Sequence, residues 1–429
     1  MTLQEMLGTA LPLLQAPMAG VQGSALAVAV CEAGGLGALP CAMLAPEAIR
    51  SEVAAIRAGT RRPFNLNFFC HQPPTPDDAR EATWRGALAP YYRELGLDLA
   101  AIPAAPGRAP FSAALADLVE ALRPPVVSFH FGLPEPGLLA RVKASGARVL
   151  SSATTVDEAR WLESRGVDAV IAQGLEAGGH RGMFLSADVT TQLGTLALVP
   201  QLVAALRVPV IAAGGIADAN GVAAARALGA AGVQIGSAYL LCPEASTSAV
   251  HRAALVGDGA RHTALTHLFT GRPARAIVNR LMRERGPLGG EPPAFPLATS
   301  AIAPLRAAAE AAGSGDFSPL WCGQNASGCR AVPAAEITRA LAAGLAAWVG
   351  IGEYASLPEA ADAVVRWRRR YEPDASRHSL YREVAERSGQ RLDRSVVPPA
   401  AADDRERALG SVDEFAHPCQ RDRVDVGGG

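Results

Sequence analysis

Short runs of apolar residues alternate with helical patterns through the first 240 residues of the chain. The runs are continuously apolar, which is typical of parallel strands that are covered on both faces. Eight runs are found, at Leu13–Pro17, Leu36–Pro40, Phe64–Phe68, Val126–Phe131, Arg148–Ser152, Ala169–Gln173, Val208–Ala213 and Val233–Gly236. Eight consecutive strand–helix units predict an α/β fold, the (β/α)8 or TIM barrel.

The segments between the runs carry the start and stop signals of short helices. Pro136–Gly146 and Thr155–Gly166, for example, begin at Pro or Thr and end at Gly. An open doubly wound sheet is the alternative, but it usually has a glycine-rich turn after its first strand. Here the first strand leads into APMAG at residues 16–20, which is no such turn. The barrel is therefore favoured.

One connection is much longer than the others. Residues 70–125, between the third and fourth strands, contain several prolines and a helical stretch. A loop that follows a strand lies at the C-terminal face of a barrel, where it can cover a site. Residues 251–345 follow the eighth strand and are predicted to be a further helical region.

Composition indicates a large folded protein and excludes several functions. The 429 residues are 49% hydrophobic, the mean hydropathy is +0.14 and the formal net charge is −1. This charge provides no field to hold nucleic acid. No membrane span or signal peptide is indicated, so we expect a cytoplasmic protein without nucleic-acid or membrane partners. The single lysine, Lys143, excludes a P-loop, and the seven cysteines lack the Cys-x-x-Cys spacing of a zinc site.

The loops after the seventh and eighth predicted strands are rich in glycine. In (β/α)8 barrels a phosphate often binds between these two loops, since small residues let backbone amides approach an oxyanion. We predict an anion site formed by the amides of Gly214, Gly215, Gly236 and Ser237, with the Ser237 hydroxyl as a further donor. Glycine is common in tight turns, but two such turns at these two strands favour the phosphate.

Polar side chains follow three other strands. His180 lies in the loop at 173–182 with glycines on both sides, which let the backbone pass close to a flat ring. An imidazole can accept a proton from a weak carbon acid, so His180 is the candidate base. His130 ends the fourth strand and Asn67 the third, although each could equally satisfy a buried backbone group.

These motifs belong to a series that covers about residues 8–345. The series includes QAPMAG at 15–20, NLNFFCH at 65–71, SFHFG at 128–132, QGLEAGGH at 173–180, AGGI at 213–216, QIGS at 234–237 and TGRPAR at 270–275. It resembles the FMN-dependent nitronate monooxygenases, formerly called 2-nitropropane dioxygenases. The SFHFG strand and the long insertion resemble the first class of that family more narrowly.

The resemblance implies FMN-dependent oxidation of an alkyl nitronate, such as propionate 3-nitronate, by O2 to a carbonyl compound and nitrite. His180 would be the base and His130 a second substrate-side group. Residues 1–250 would form the FMN-binding barrel, and residues 251–345 would lie on the substrate side. The implied contacts to FMN fall on Ala16, Met18, Asn67, Gln173, Gly178, Gly215, Gln234, Gly236 and Ser237.

Two alternatives stay open. The same superfamily contains FMN-dependent enoyl-acyl-carrier reductases and NADH:quinone reductases, whose barrel would need to admit a nicotinamide. A non-catalytic FMN-binding protein would need no group poised over the flavin ring. Reduction of the bound flavin by NADH, or its absence, separates a reductase from a nitronate oxidase.

The end of the chain departs from this family. Residues 342–395 resemble the closing segment of xylulokinase-type sugar kinases, but no phosphate loop of the kinase type precedes them, so no kinase activity is expected. Residues 346–429 are predicted to form a helical extension with a mobile end, because the last part is densely charged and closes on three glycines. The oligomeric state is left open.

Overall fold

The strands agree closely with the apolar runs. The computed structural model describes residues 1–102, 108–290 and 292–343, so the predicted extension at 346–429 lies outside the described residues. The strands are β1 (Leu13–Gln15), β2 (Gly37–Pro40), β3 (Phe64–Phe69), β4 (Val126–His130), β5 (Arg148–Ala153), β6 (Ala169–Gln173), β7 (Gly179–His180), β8 (Val210–Ala213), β9 (Gly232–Ile235), β10 (Thr263–Thr266) and β11 (Ala274–Ile277).

Eight of these strands form a parallel barrel. Neighbouring strands pair in the order β1, β9, β8, β6, β5, β4, β3, β2. Leu36, beside β2, closes the ring, because its amide donates to Leu13 O and its carbonyl accepts from Gln15 N, both at 2.9 Å. Each strand lies within two residues of its predicted bounds. The (β/α)8 prediction is confirmed.

Helices surround the barrel and extend beyond it. They are α1 (Leu3–Leu7), α2 (Ser24–Glu32), α3 (Pro46–Gly59), α4 (Asp78–Glu94), α5 (Ala113–Leu122), α6 (Pro136–Ala144), α7 (Val156–Ser164), α8 (Thr195–Ala205), α9 (Ala219–Ala227), α10 (Ala249–Val256), α11 (Arg280–Arg285), α12 (Thr299–Ala311) and α13 (Ala334–Ala342). The buried side chains of α1 pack with Leu14 and Ile211 inside the barrel, so α1 plugs its N-terminal end. No helix in the described part of the chain is long and apolar enough to cross a membrane.

The eighth barrel helix is α13, far along the chain from the eighth barrel strand, β9. It packs against α2 and α9, and Tyr239 Oη lies 2.9 Å from Thr338 Oγ1. Residues 237–333 are therefore a long excursion between β9 and its helix. The sequence predicted a barrel that ends at residue 250. The barrel instead includes α13, because the helix that completes it follows this excursion.

The predicted insertion at 70–125 also contains part of the barrel. Its last helix, α5, packs against α3 and α6, and Ala116 and Val119 are buried in the main core. Only the part before α5 leaves the helical layer. α5 belongs to the helical layer because its apolar face packs on the barrel, as the apolar faces of the other outer helices do.

A second hydrophobic core lies outside the barrel, and we call α4, β10, β11, α11 and α12 the cap. Buried side chains of α4, α11 and α12 pack together there, and Tyr92 Oη donates to Ala301 O at 2.7 Å. Residues 251–345 were predicted to be helical. The region also contains two strands, because β10 and β11 pair antiparallel. β11 also pairs with β7, which joins the cap to the loop after β6. Strands this short are stabilised by such pairing and leave little pattern in the sequence.

Candidate active site

The predicted site residues surround one cavity at the C-terminal ends of the barrel strands. Its walls come mainly from the loops after the strands, with Arg108 from the segment before α5 and further residues from the segment after α12. All twelve predicted residues line it: Ala16, Met18, Asn67, His130, Gln173, Gly178, His180, Gly214, Gly215, Gln234, Gly236 and Ser237. The barrel topology therefore brings together residues that are far apart in sequence.

One end of the cavity, which we call the glycine cradle, consists of Gly214, Gly215, Gly236 and Ser237. Gly214 and Gly215 have φ of +117° and +73°, a backbone conformation that favours glycine. Among the described residues, none of the four amides has a hydrogen-bond partner. The Ser237 hydroxyl accepts from Gly323 N at 2.9 Å. Such unpaired donors at the ends of two strands suit a phosphate.

The segment at 322–325 completes the cradle from outside the barrel. Asn325 Nδ2 donates to Gly215 O at 3.1 Å, and Gln324 N donates to Glu176 O at 2.9 Å. A Cβ on Gly178 would lie 2.6 Å from the carbonyl carbon of Cys322, so only glycine fits there. Sequence analysis missed this segment because it is irregular and has no periodic pattern.

The side wall of the cavity offers amide groups and small side chains. Among the described residues, the Gln234 side-chain amide has no hydrogen-bond partner and is free to bind a ligand. Asn67 is held by its Nδ2, which donates to Ser128 Oγ at 2.9 Å. The amides of Ala16 and Met18 already donate, to Ile235 O at 2.7 Å and to Gln22 Oε1 at 3.1 Å. These two residues therefore present van der Waals surface to the cavity.

The other end of the cavity is built around His180. Its ring centroid lies 5.3 Å from that of Phe295, 5.4 Å from Trp321 and 6.0 Å from Phe131. Nε2 lies 2.9 Å from Thr270 Oγ1, and Nδ1 has no hydrogen-bond partner within the described ranges. Burial, reinforced by the charges of nearby arginines, holds the pKa of His180 well below its ordinary value. The ring is therefore neutral at pH 7, and one of its two nitrogens keeps a lone pair.

Both ring nitrogens of His130 form hydrogen bonds, and one of these bonds supports the His180 loop. Nδ1 lies 2.6 Å from Ser152 Oγ, and Nε2 lies 3.2 Å from the carbonyl oxygen of His180. A carbonyl only accepts, so Nε2 carries the hydrogen. Gln173 Nε2 donates to the same carbonyl at 2.9 Å. Burial lowers the pKa of His130 to about 3. Neither ring nitrogen of His130 is left free to take a proton from a substrate.

Two fully buried charged side chains fix the shape of the same loop. Arg181 donates to the carbonyls of Gln173 and Gly174, both at 2.7 Å. Glu158 accepts from Phe184 N at 2.6 Å. Such hydrogen bonds compensate the cost of burying the charges, so the loop that carries His180 is firmly positioned.

Arg108 is a charged group in the cavity wall that sequence analysis did not single out. It donates to Thr299 Oγ1 at 3.3 Å, and its Cζ lies 5.6 Å from the centre of the Phe295 ring. It forms no ion pair with any carboxylate in the described part of the chain. Its charge favours an anionic ligand near His180. An arginine within a Pro- and Ala-rich insertion gives no sequence signal of such a place.

The fold and the cavity together define a (β/α)8-barrel enzyme whose candidate site lies at the C-terminal ends of the barrel strands. Residues 1–344 match the family model for nitronate monooxygenase. The chain belongs to the nitronate monooxygenase family, which consists of flavin-dependent oxidoreductases.

Individual relatives agree with this assignment. The nitronate monooxygenase of Paraburkholderia phytofirmans is 44% identical over 344 residues, which are 78% of this chain and 92% of the relative. That of Pseudomonas aeruginosa is 44% identical over 343 residues, 78% of this chain and 96% of the relative. Among solved structures, the nitroalkane oxidase from Streptomyces ansochromogenes has a TM-score of 0.74 and 38% identity, covering 81% of this chain and 99% of its own. FabK from Thermotoga maritima has a TM-score of 0.60 and 26% identity, covering 82% and 98%.

Proposed function

We propose that this enzyme oxidises alkyl nitronates, such as propionate 3-nitronate, with O2 to a carbonyl compound and nitrite, using FMN bound in the cavity. The observation that carries the proposal is that one cavity combines unpaired backbone amides at one end with a neutral, half-buried imidazole at the other. The family membership and the likeness to a nitroalkane oxidase support it.

The residues present fit FMN. The glycine cradle would bind the phosphate through its four amides and the Ser237 hydroxyl, and Gln234 would bind the flavin ring through its free amide. A Cβ on Gly236 would lie 3.4 Å from the Ala16 side chain, an ordinary contact, so it would occupy space beside Ala16 that glycine leaves empty. FMN supplies the redox chemistry, since it can take electrons from the nitronate and pass them to O2.

His180 would accept the proton of the substrate, and the charged side chains near it would stabilise the resulting anion. A neutral imidazole can remove the α-proton of a nitroalkane, which converts it to the nitronate. Arg108 and Arg272 would favour the resulting anion, since both charges act on His180. The aromatic rings around His180 would limit the access of water to a bound substrate, which would strengthen these interactions. His130 would act by holding the carbonyl of His180 in place.

The decisive experiment compares two electron sources. With propionate 3-nitronate under air and no NADH, we expect O2 uptake and nitrite release. Rapid anaerobic bleaching of the flavin by NADH, without nitronate turnover, would instead indicate an enoyl or quinone reductase of the same superfamily. Bound FMN with neither reaction would indicate a non-catalytic FMN-binding protein. A purified protein that carries no flavin and binds none on titration would overturn the cofactor.

A further inference from the structure

Thr270 links the cap to the ring of His180. It is buried in the turn between β10 and β11, and its Oγ1 lies 2.9 Å from His180 Nε2. The same hydroxyl donates to the carbonyl oxygen of Arg272 at 3.3 Å. Neither contact belongs to the barrel, and no other part of the proposed function uses Thr270.

The direction of these hydrogen bonds follows from the number of hydrogens available. A threonine hydroxyl has one hydrogen, a neutral imidazole has one N–H, and a carbonyl only accepts. If Nε2 carries the hydrogen, it donates to Thr270 Oγ1, and the hydroxyl hydrogen reaches Arg272 O. If Nδ1 carried it, the hydroxyl would have to donate to Nε2, and Arg272 O would lose its bond. The first arrangement satisfies all three groups.

We propose that Thr270 is a positioning residue that holds His180 with its hydrogen on Nε2 and its lone pair on Nδ1. Nε2 is turned to the cap, so Nδ1 is the ring nitrogen left for the cavity. The inference rests on the proposed function because it takes a nitroalkane as the carbon acid that loses its proton. In that step the C–H bond breaks, its electron pair moves into the nitro group to form the nitronate, and the proton goes to Nδ1. Nε2–H continues to donate to Thr270 throughout.

Thr270→Val tests this arrangement, because valine keeps the shape of threonine and removes the hydroxyl. We expect the kcat of the FMN-loaded variant with nitroethane to fall about tenfold, the size expected for one lost hydrogen bond. With preformed ethyl nitronate, which has no α-proton left to remove, kcat should stay within about twofold of the unaltered enzyme. Thr270→Ser is the matched control and should restore the rate with nitroethane. An equal loss on both substrates, or no rescue by serine, would overturn the proposal.

A second measurement reads the tautomer directly and does not depend on turnover. In the FMN-loaded enzyme labelled with 15N-histidine, the His180 signals are identified by their loss in His180→Asn. We expect Nδ1 to have the 15N chemical shift of an unprotonated nitrogen and Nε2 that of a protonated one. In Thr270→Val, the two chemical shifts should move towards each other, because the two tautomers then mix. A protonated Nδ1 in the unaltered enzyme would overturn the proposal even if nitronates are oxidised. If no nitro compound is turned over, the proposed function fails, and this measurement still decides the tautomer.

Discussion

The two ends of the cavity are built in opposite ways. The glycine cradle uses backbone amides in two barrel loops, and it depends on the absence of side chains at Gly214 and Gly215. The end around His180 depends on side chains, and Phe295, Trp321 and Thr270 reach it from outside the barrel. Binding a phosphate therefore requires open backbone at a fixed place in the fold. Preparing a base requires neighbours that bury it and orient its ring.

Because of this difference, we expect substitutions at one end of the cavity to leave the function of the other end intact. Changes in the cradle should remove the cofactor, whereas changes around His180 should leave the cofactor bound and alter the chemistry. The predictions below test that separation, beginning with the largest expected effect.

Gly215→Glu should abolish flavin binding. The residue has φ of +73°, and a carboxylate there would repel the phosphate and block the amide. The readout is flavin absorbance per protein chain after purification and FMN titration. Gly313→Glu is the matched control, since Gly313 has φ of +75° and nothing within 4 Å of its Cβ position. Normal flavin content in Gly215→Glu would refute the cradle.

His180→Asn should retain FMN and lose about 10²–10⁴-fold in rate with a neutral nitroalkane, the usual contribution of a positioned base. With a preformed nitronate, much of the rate should remain. Stopped-flow reduction of the flavin by both substrates measures the asymmetry. His262→Asn is the control, because His262 is exposed. Equal losses on both substrates would assign His180 to anion binding, and no loss on either would make it structural.

His130→Asn should have a smaller effect, about twofold to tenfold with a nitroalkane, because it removes one hydrogen bond to the carbonyl of His180. Steady-state kinetics with the same two substrates provides the comparison. A loss as large as that of His180→Asn, and confined to the nitroalkane, would mean that β4 carries the base.

The pH dependence with nitroethane should be flat between pH 7.5 and 6. Burial lowers the pKa of His180, and the positive charges of Arg108 and Arg272 lower it further. His130 and His71 also face it and would lower it in the same direction when protonated. The base works in its neutral form, so activity is lost only as pH falls through the lowered pKa. A histidine with an ordinary pKa of about 6.5 would lose roughly fourfold over this range. A kcat/KM profile with an inflection near pH 6.5 would contradict the expectation.

A chain that is truncated after residue 345 should bind flavin and turn over substrate like the full chain. The helical layer of the barrel is completed by α13, which ends at Ala342, and the family match ends at residue 344. Flavin content and kcat with propionate 3-nitronate should stay within about twofold of the full chain. A loss of flavin or of turnover would show that the last residues contribute to the site.

The barrel strands and seven of the twelve predicted site residues could be predicted from local signals. The other five came from the family resemblance: Ala16, Met18, Gln173, Gly178 and Gln234. Strands covered on both faces are continuously apolar, and the residues that follow them must lie at one end of the barrel. Glycines at 214 and 215 mark places where the backbone needs positive φ. The family resemblance added the roles that local patterns do not specify.

The remaining features depend on contacts between distant segments, so the tertiary structure alone decided them. α13 became the eighth barrel helix because it packs between α2 and α9, after an excursion that hides this relation in the sequence. Arg108 reaches the cavity from the segment before α5, and Thr270 reaches it from the turn between β10 and β11. The TGRPAR motif contains Thr270 but does not indicate that its hydroxyl meets His180. The state of His180 is decided in the same way. Its position after a strand is local, but its burial and the partner of its Nε2 come from residues that only folding brings together.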